Sequence, residues 1–381
     1  MFEKIKNEQV ELGKKVHIFG ASQLGKKLFD ELKIHDICVD TFLDNDKSKQ
    51  FQRIRGVRVE APERLKTQDK DLTIVIIASL NFYKEMKEQI KSFVSYENVY
   101  SIDTIYMKYN KNFNKIAIPN YNESLVSVIL TVYNQWNYTY NCLDSFVNTK
   151  TKVPYEIIIG DNNSTDETKD IEKIIVGAKI IHRSENIGYL RNVNATVELA
   201  QSKYILILQN DTYFIEDYWL DRLVEYMEEN PKCGAVAPYM CGYDGKEGIG
   251  GCMLENDGNV IPIVGKKTLV PYSVMYIQPA AVLCRNELWR IVKGYDEAYM
   301  PAWCEDEDFY LKSAELGYDL VICPDIKYIH YGSKTYGACP VHIQKEHLDI
   351  LVGRWGKKIP IIKKSIRKRN QDRGLGDIWL N

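Results

Sequence analysis

The chain alternates short apolar runs with stretches of helical periodicity, and it does so twice. Near the start, Val16-His17-Ile18-Phe19 reads as a buried strand ending at Gly20, and Leu24, Leu28, Phe29 and Leu32 follow at helical spacing. A second strand runs through Ile37-Cys38-Val39 towards Phe42-Leu43, residues 72–78 form a third, and residues 99–102 a fourth. Unbroken Val/Ile runs mark strands covered on both faces, as in parallel sheets flanked by crossover helices. From 107 to 124 the pattern dissolves into Asn, Lys, Tyr and Pro, which reads as a linker between a first domain (1–106) and a second (125–350). In the second half, strands are predicted at 126–132, 156–160, 179–182, 204–208 and about 276–283, with a short one at 320–322. A helix is predicted from near Ser164, where Ser164-x-x-Glu167 has capping-box form, and another over 305–316, stopped by Gly317. The fold class is therefore α/β in both halves.

Charge and composition narrow the function. With 50 Lys and Arg against 52 Asp and Glu, the molecule makes no case for nucleic-acid binding. The opening MFEKIKNEQVELGKK lacks the apolar core of a signal peptide, and no run reaches the length of a membrane span. Nine cysteines occur without a CxxC pair or zinc spacing, which suits free thiols and a cytoplasmic location. The tail at 351–381 carries Lys357, Lys358, Lys363, Lys364, Arg367, Lys368 and Arg369 around Ile359, Ile361 and Ile362. Such a segment suits either a solvated terminal helix, the commoner case, or peripheral contact with an anionic inner membrane face.

Three predicted strands of the second half end in polar chemistry. The first runs into Thr131-Val132-Tyr133-Asn134, the second into Asp161-Asn162-Asn163-Ser164, and the strand at 204–208 into Gln209-Asn210-Asp211. In open α/β sheets ligands sit beyond the carboxyl ends of strands, so these turns are placed to line a pocket. Singly, each is more often a turn or a helix cap. A carboxylate at such a strand end also suits Mg²⁺ or Mn²⁺, which take oxygen ligands and bridge phosphates.

The sharpest cluster is Trp303-Cys304-Glu305-Asp306-Glu307-Asp308. A helix dipole favours one or two acids in a first turn, but four in a row repel one another. That repulsion raises a carboxylate pKa, as a general base requires. His330, followed by Tyr331-Gly332-Ser333, is the last candidate; a lone histidine is usually structural.

Taken in order, these segments resemble the family 2 glycosyltransferases of GT-A fold, from about residue 125 to 336. The most specific stretch holds Gly294-Tyr295-Asp296-Glu297, then Glu305-Asp306-Glu307-Asp308, Gly317-Tyr318 and His330-Tyr331-Gly332. The resemblance implies an inverting transferase that moves a sugar from a UDP- or dTDP-linked donor to an acceptor hydroxyl on a glycan, lipid-linked intermediate or protein. It implies that Thr131, Tyr133, Asn134 and Asp161 grip the nucleoside, and that Asn186, Gly188, Arg191 and Asn210 lie along ribose and phosphates. Asp306 would be the catalytic base, with Trp303 on the acceptor side and Glu305 and Asp308 orienting the acceptor or supporting the helix. Asp211 and His330 would hold Mn²⁺ or Mg²⁺, although Gln209 stands where the metal motif usually has its first acid. Surface polysaccharide or glycoconjugate synthesis and a homo-oligomeric state are compatible with this reading. The rival is a non-catalytic nucleotide-sugar-binding protein with a degenerate transferase domain; it predicts loss of the base or the metal acid, and both are present.

In the first domain, Gly20-Ala21-Ser22-Gln23-Leu24-Gly25 approximates a dinucleotide fingerprint, with Ser22 in place of the middle glycine. The run from Phe42 to Leu65 is similar to small Rossmann-like domains at the N-termini of some sugar acyltransferases. A packing or docking module is the expectation there, with a bound nucleotide as the alternative.

Overall fold

The computed structural model describes residues 2–79, 83–102, 113–242, 248–265, 268–278, 280–332 and 340–378. Residues 107–112 of the expected linker, and Ser333, lie outside these. The chain forms two compact units, Met1–Lys111 and Asn112–Asn381.

The first unit is a six-stranded sheet built from β1 (Lys15–Phe19), β2 (Val39–Leu43), β3 (Arg53–Ile54), β4 (Val57–Glu60), β5 (Thr73–Ile77) and β6 (Val99–Ser101). Their order is β3-β4-β2-β1-β5-β6, parallel except for the β3–β4 hairpin. Helix Gln23–Ile34 follows β1 so closely that a Cβ on Gly25 would fall 1.9 Å from the Gly20 carbonyl oxygen. Gly25 is therefore required for helix–strand packing, as the last glycine of a Rossmann fingerprint is. The sequence pattern missed helix Phe2–Leu12, whose only buried residue is Ile5, so its periodicity carries little signal.

The second unit is built on an eleven-stranded mixed sheet and a separate two-stranded parallel one. It contains β7 (Ile116–Ala117), β8 (Val126–Val132), β9 (Tyr155–Asp161), β10 (Ile175–Val176), β11 (Lys179–His182), β12 (Tyr204–Gln209) and β13 (Thr212–Phe214). It continues with β14 (Cys233–Gly242), β15 (Ile249–Leu254), β16 (Val260–Val264), β17 (Tyr272–Ser273), β18 (Ala281–Arg285) and β19 (Asp319–His330). The main path runs β11-β9-β8-β12-β18-β14-β15-β16, with the first four strands parallel and β12–β18 antiparallel. Alternate residues of β8 feed opposite cores: Val128 and Leu130 on one face, Ile129 on the other. Each such buried side chain contributes about 1.5–3 kcal/mol of apolar transfer.

Several expectations change. Ile116 and Ala117, within the expected linker, pair in parallel with Ile175 and Val176; two residues are too short for a periodicity to show. No helix starts at Ser164. Its hydroxyl accepts the Asn134 amide instead, and Asp166 caps a short 3-10 helix at Glu167–Lys173. The strand placed at 276–283 begins at Ala281, and Tyr276 makes only an isolated bridge to Cys252. The short strand expected at 320–322 extends to His330, because β19 is long enough to pair with β13, β14 and β17.

The basic tail is not simply solvated. Helix Ile359–Asp372 buries Ile359, Ile362 and Ile366 in the core of the second unit. Buried Asn370 accepts from the Ser273 amide and donates to the Ser273 carbonyl. Lys358, Lys363, Arg367 and Arg369 pair with Glu315, Glu255, Asp377 and Asp319, leaving Lys357, Lys364 and Lys368 on the outer side. Among the described residues, no helix is long and apolar enough to cross a membrane.

Candidate active site

Parallel pairing brings the three polar strand ends together. Thr131 is in register with Gly160 on one side and Gln209 on the other, and Val132 with Asp161. The chain therefore leaves β8, β9 and β12 at one edge, and Tyr133-Asn134, Asp161-Asn162 and Asn210-Asp211 share it.

Most of these side chains are held by one another. Asn134, at φ 55°, accepts through Oδ1 from the Thr165 and Asp166 amides at 2.7 and 3.2 Å. Asp161 is buried; its Oδ1 accepts from the Ser164 amide at 3.0 Å, and its Oδ2 lies 2.8 Å from His182 Nδ1. This hydrogen bond, more than any other influence, raises the His182 pKa. Asn162 Nδ2 donates to Asn186 Oδ1, which also accepts the Gly188 amide, fixing the turn into helix Tyr189–Val197. Gly188 has φ 84°, and a Cβ there would press on Met300 at 2.8 Å. Arg191 points to Glu297, with Nε and Nη2 both 2.9 Å from Oε2. Asn210 Nδ2 donates to the buried Thr139 hydroxyl at 3.0 Å. Thr131 and Tyr133 are partly exposed at the edge.

Asp211 and His330 meet. The antiparallel pairing of β13 with β19 sets Thr212 opposite His330, and His330 Nε2 lies 3.1 Å from Asp211 Oδ1. Nδ1 of the same ring contacts Met240 Sδ at 3.2 Å. An imidazole nitrogen and a carboxylate oxygen this close can share one divalent cation. Among the described residues no group of three acids, histidines or cysteines is gathered for a metal. Two protein ligands still fit Mg²⁺ or Mn²⁺ bound through substrate phosphates, since such ions usually keep only one or two protein ligands in phosphate sites.

The four acids open helix Glu305–Glu315. Trp303 and Cys304, just before it, have φ 94° and 71°, a left-handed conformation that costs about 1–3 kcal/mol per residue and persists only when its surroundings enforce it. Glu305, Asp306 and Asp308 are buried, while Trp303 is half exposed. Burial, then the charges of Glu305 and Glu307, hold Asp306 well above the ordinary carboxylate range, with Tyr295 opposing the shift. Burial likewise pushes Glu305 and Glu307 up to about 7. Glu305 Oε2 and Asp306 Oδ1 are buried without a hydrogen-bond partner. Such atoms are costly in a folded protein and are a mark of sites completed by something else.

Asp308 differs from its neighbours. Its Oδ1 accepts from Trp355 Nε1 at 2.8 Å and from Arg354 and Tyr299 at 3.3 Å, and Lys312 Nζ is 2.6 Å from Oδ2. These contacts tie Asp308 into its own helix and to helix Val341–Trp355.

Sequence reading missed three sets of residues. His182 is legible only through the β9–β11 register that sets it opposite Asp161. Burial raises the pKa values of Tyr189, Tyr276, Tyr295 and Tyr310, and the charge of Asp306 adds to it in each, at Tyr276 after that of Glu307. Helix Val341–Trp355 clamps the acidic turn: besides Arg354 and Trp355, His347 Nδ1 sits 3.1 Å from the carbonyl oxygens of both Ala302 and Trp303. The clamp explains how the strained pair Trp303-Cys304 persists.

Comparisons with known proteins agree with this architecture. Residues 127–271 match glycosyl transferase family 2, and residues 12–102 match the family described as C2185-like, N-terminal. The first match covers the strand-end cluster and stops short of Glu305–Asp308 and His330. An uncharacterized glycosyltransferase of Haemophilus influenzae is 30% identical over 30% of this chain and 36% of its own. The poly(ribitol-phosphate) beta-glucosyltransferase of Bacillus spizizenii is 28% identical over 43% of this chain and 26% of its own. The chain spans about a third of the length of the curated relatives it matches. The structure of GalNAc-T7 with UDP, GalNAc and Mn²⁺ superposes with a TM-score of 0.51 at 15% identity, over 66% of this chain and 53% of that one, a likeness of fold. The chain thus carries a glycosyl transferase family 2 domain of GT-A fold, preceded by a C2185-like N-terminal domain.

Proposed function

We propose that the second unit is an inverting glycosyltransferase that moves a sugar from a UDP- or dTDP-linked donor to an acceptor hydroxyl. The observation that carries this reading is Asp306: a buried carboxylate of raised pKa, with one oxygen unpartnered, in the same unit as a family 2 strand-end cluster. A base of raised pKa takes a hydroxyl proton more readily than an ordinary carboxylate does.

In this mechanism the acceptor hydroxyl gives its proton to Asp306 as its oxygen bonds to the anomeric carbon. The bond from that carbon to the donor diphosphate breaks on the opposite face, so a single displacement inverts the centre. Asp161, already fixed by Ser164 and His182, presents its edge to the nucleoside, and the Asn162–Asn186 turn shapes the path of the ribose and phosphates. Arg191 reaches the phosphates by leaving Glu297, an exposed pair that gives way at little cost. Asp211 and His330 would hold Mn²⁺ or Mg²⁺, which supplies countercharge for the leaving diphosphate. UDP and Mn²⁺ in the GalNAc-T7 structure, and the polymer acceptor of the Bacillus relative, support a metal-assisted reaction in surface-polymer synthesis.

The test is purified full-length protein with UDP-, dTDP- and GDP-sugars, with and without Mn²⁺, read by nucleotide release. Turnover with a UDP- or dTDP-sugar, lost in Asp306→Asn while donor binding is kept, is the expected result. Near-normal turnover in Asp306→Asn overturns the base. Tight donor binding without turnover by the wild type, across glycan and lipid-linked acceptors, returns the protein to a binding role.

A further inference from the structure

The first unit contains a cavity of about 550 Å³, lined by Ala21, Lys26, Lys49, Arg53 and Arg55 with Gln52 and Ile54. Four cations and no carboxylate face it, although the chain as a whole is nearly neutral. The topology places it where ligands collect in parallel sheets. Ala21 belongs to the turn leaving β1, Lys26 to the opening of helix Gln23–Ile34, and Lys49 and Gln52 to the loop leaving β2, past carboxyl ends of strands, while Arg53, Ile54 and Arg55 come from β3 and its turn into β4.

The charges are only partly spent within the fold. Lys49 lies 3.2 Å from Asp44, Arg55 2.9 Å from Asp30, and Arg53 donates to the Gly56 carbonyl. The Arg55–Asp30 pair is exposed on both sides, so an anion of higher charge displaces it at little cost, whereas Lys49 faces a buried Asp44 and keeps that contact. Asp44 is itself committed, since Oδ2 accepts the Ala21 amide at 2.8 Å and Oδ1 the Asp46 amide at 2.9 Å. In a Rossmann dinucleotide site the acid after the second strand takes ribose hydroxyls. Here it ties down the phosphate-side loop, and Ser22 fills the position where a glycine would let a pyrophosphate approach. A nicotinamide dinucleotide in its usual pose is therefore disfavoured, and the cationic wall becomes the recognition element.

The same loop carries an aromatic ring held outward. Phe51 is 89% exposed and has φ 68°, a conformation a bulky residue rarely adopts. Phe51 directly precedes Gln52 and Arg53 of the cavity wall in the chain, and an exposed ring on the same loop suits a base stacked next to its phosphates.

We propose that the first unit binds a nucleoside diphosphate in this cavity, with the diphosphate on Lys26, Lys49, Arg53 and Arg55 and the base against Phe51. The site lies in the first unit, and the proposed transferase residues lie in the second.

The test is calorimetry of the full chain with UDP, ADP and inorganic pyrophosphate, comparing wild type, the double variant Lys26→Gln/Arg53→Gln, Phe51→Ala, and Asp161→Ala. The expected wild-type result with UDP is two equivalents per chain, one weakened at least tenfold by Lys26→Gln/Arg53→Gln and the other by Asp161→Ala. One equivalent lost only in the cationic variant upholds this proposal while removing support for donor binding in the second unit. One equivalent lost only in Asp161→Ala overturns the proposal. ADP and UDP binding alike at the first unit, with Phe51→Ala weakening both but sparing pyrophosphate, upholds a stacked base. Pyrophosphate binding as tightly as both nucleotides, with Phe51→Ala changing nothing, overturns the nucleoside. Lys26, Phe51 and Arg53 are exposed or half-exposed, so an unchanged melting temperature is expected in each first-unit variant and separates lost binding from lost folding.

Discussion

The strand-end cluster and the acidic turn belong to one unit and are built on opposite principles. Asn134, Asp161 and Asn162 are each held by hydrogen bonds within the fold, so the groups are fixed before any ligand arrives. At Glu305 and Asp306, carboxylate oxygens are buried without partners and like charges crowd together. The first arrangement satisfies its polar groups within the fold and gives shape. The second stores electrostatic cost and gives reactivity, with His347, Arg354 and Trp355 holding the turn against its own repulsion.

The largest expected effect lies on the reactive side. Asp306→Asn keeps the shape of the site and removes the proton acceptor, so kcat is expected to fall about 10²- to 10⁴-fold with donor affinity unchanged. Single-turnover assays paired with donor titration check both halves.

Glu305→Gln probes the stored cost. With a folded pKa of about 7 against an ordinary 4.5, Glu305 keeps a proton in the folded chain that the unfolded chain has released. Its contribution is therefore fully present below about pH 4.5 and lost as pH rises to about 7 and beyond. Above that range Glu305→Gln is expected to be more stable than wild type by up to about 3 kcal/mol in urea unfolding. Removing the like charge also lowers the Asp306 pKa, so the acid limb of the kcat/KM profile moves to lower pH. An acid limb that stays in place would break the link between these two carboxylates.

On the fixed side the effects are smaller. Asn134→Ala removes the acceptor for the Thr165 and Asp166 amides and strains a position at φ 55°, for a cost of about 1–3 kcal/mol in chemical unfolding. Asn134→Gly, which relieves the strain alone, is expected to recover part of it. Smallest is His182→Gln. The His182 pKa is raised by Asp161, so its stabilisation is present below the ordinary histidine pKa and fades as pH rises through the folded value. The urea midpoints of wild type and His182→Gln should differ most in mild acid and converge in base; a gap independent of pH would show that the pairing with Asp161 is not the cause.

The two regions were also unequally legible. Thr131, Asp161 and Asp211 could be found because β8, β9 and β12 are strong apolar runs, and a run that stops at a polar residue marks its own end. The acidic turn announced itself by charge alone, and nothing in the sequence separates Asp306, buried with an unpartnered oxygen, from Asp308, anchored by Trp355. The clamp was not legible in the sequence, because its contacts join residues 44–47 positions apart.

By itself, then, the sequence determined what local periodicity and composition can carry: two α/β halves, the apolar strands with their polar ends, the acid cluster and a charge too balanced for nucleic acid. Tertiary structure alone decided which polar groups meet. The pairing of β13 with β19 joins Asp211 to His330, 119 positions apart, and the pairing of β9 with β11 gives Asp161 its histidine. It also decided which carboxylates lose their water, and so which have raised pKa values. Burial and register are sums over distant contacts, and no window along the chain contains them.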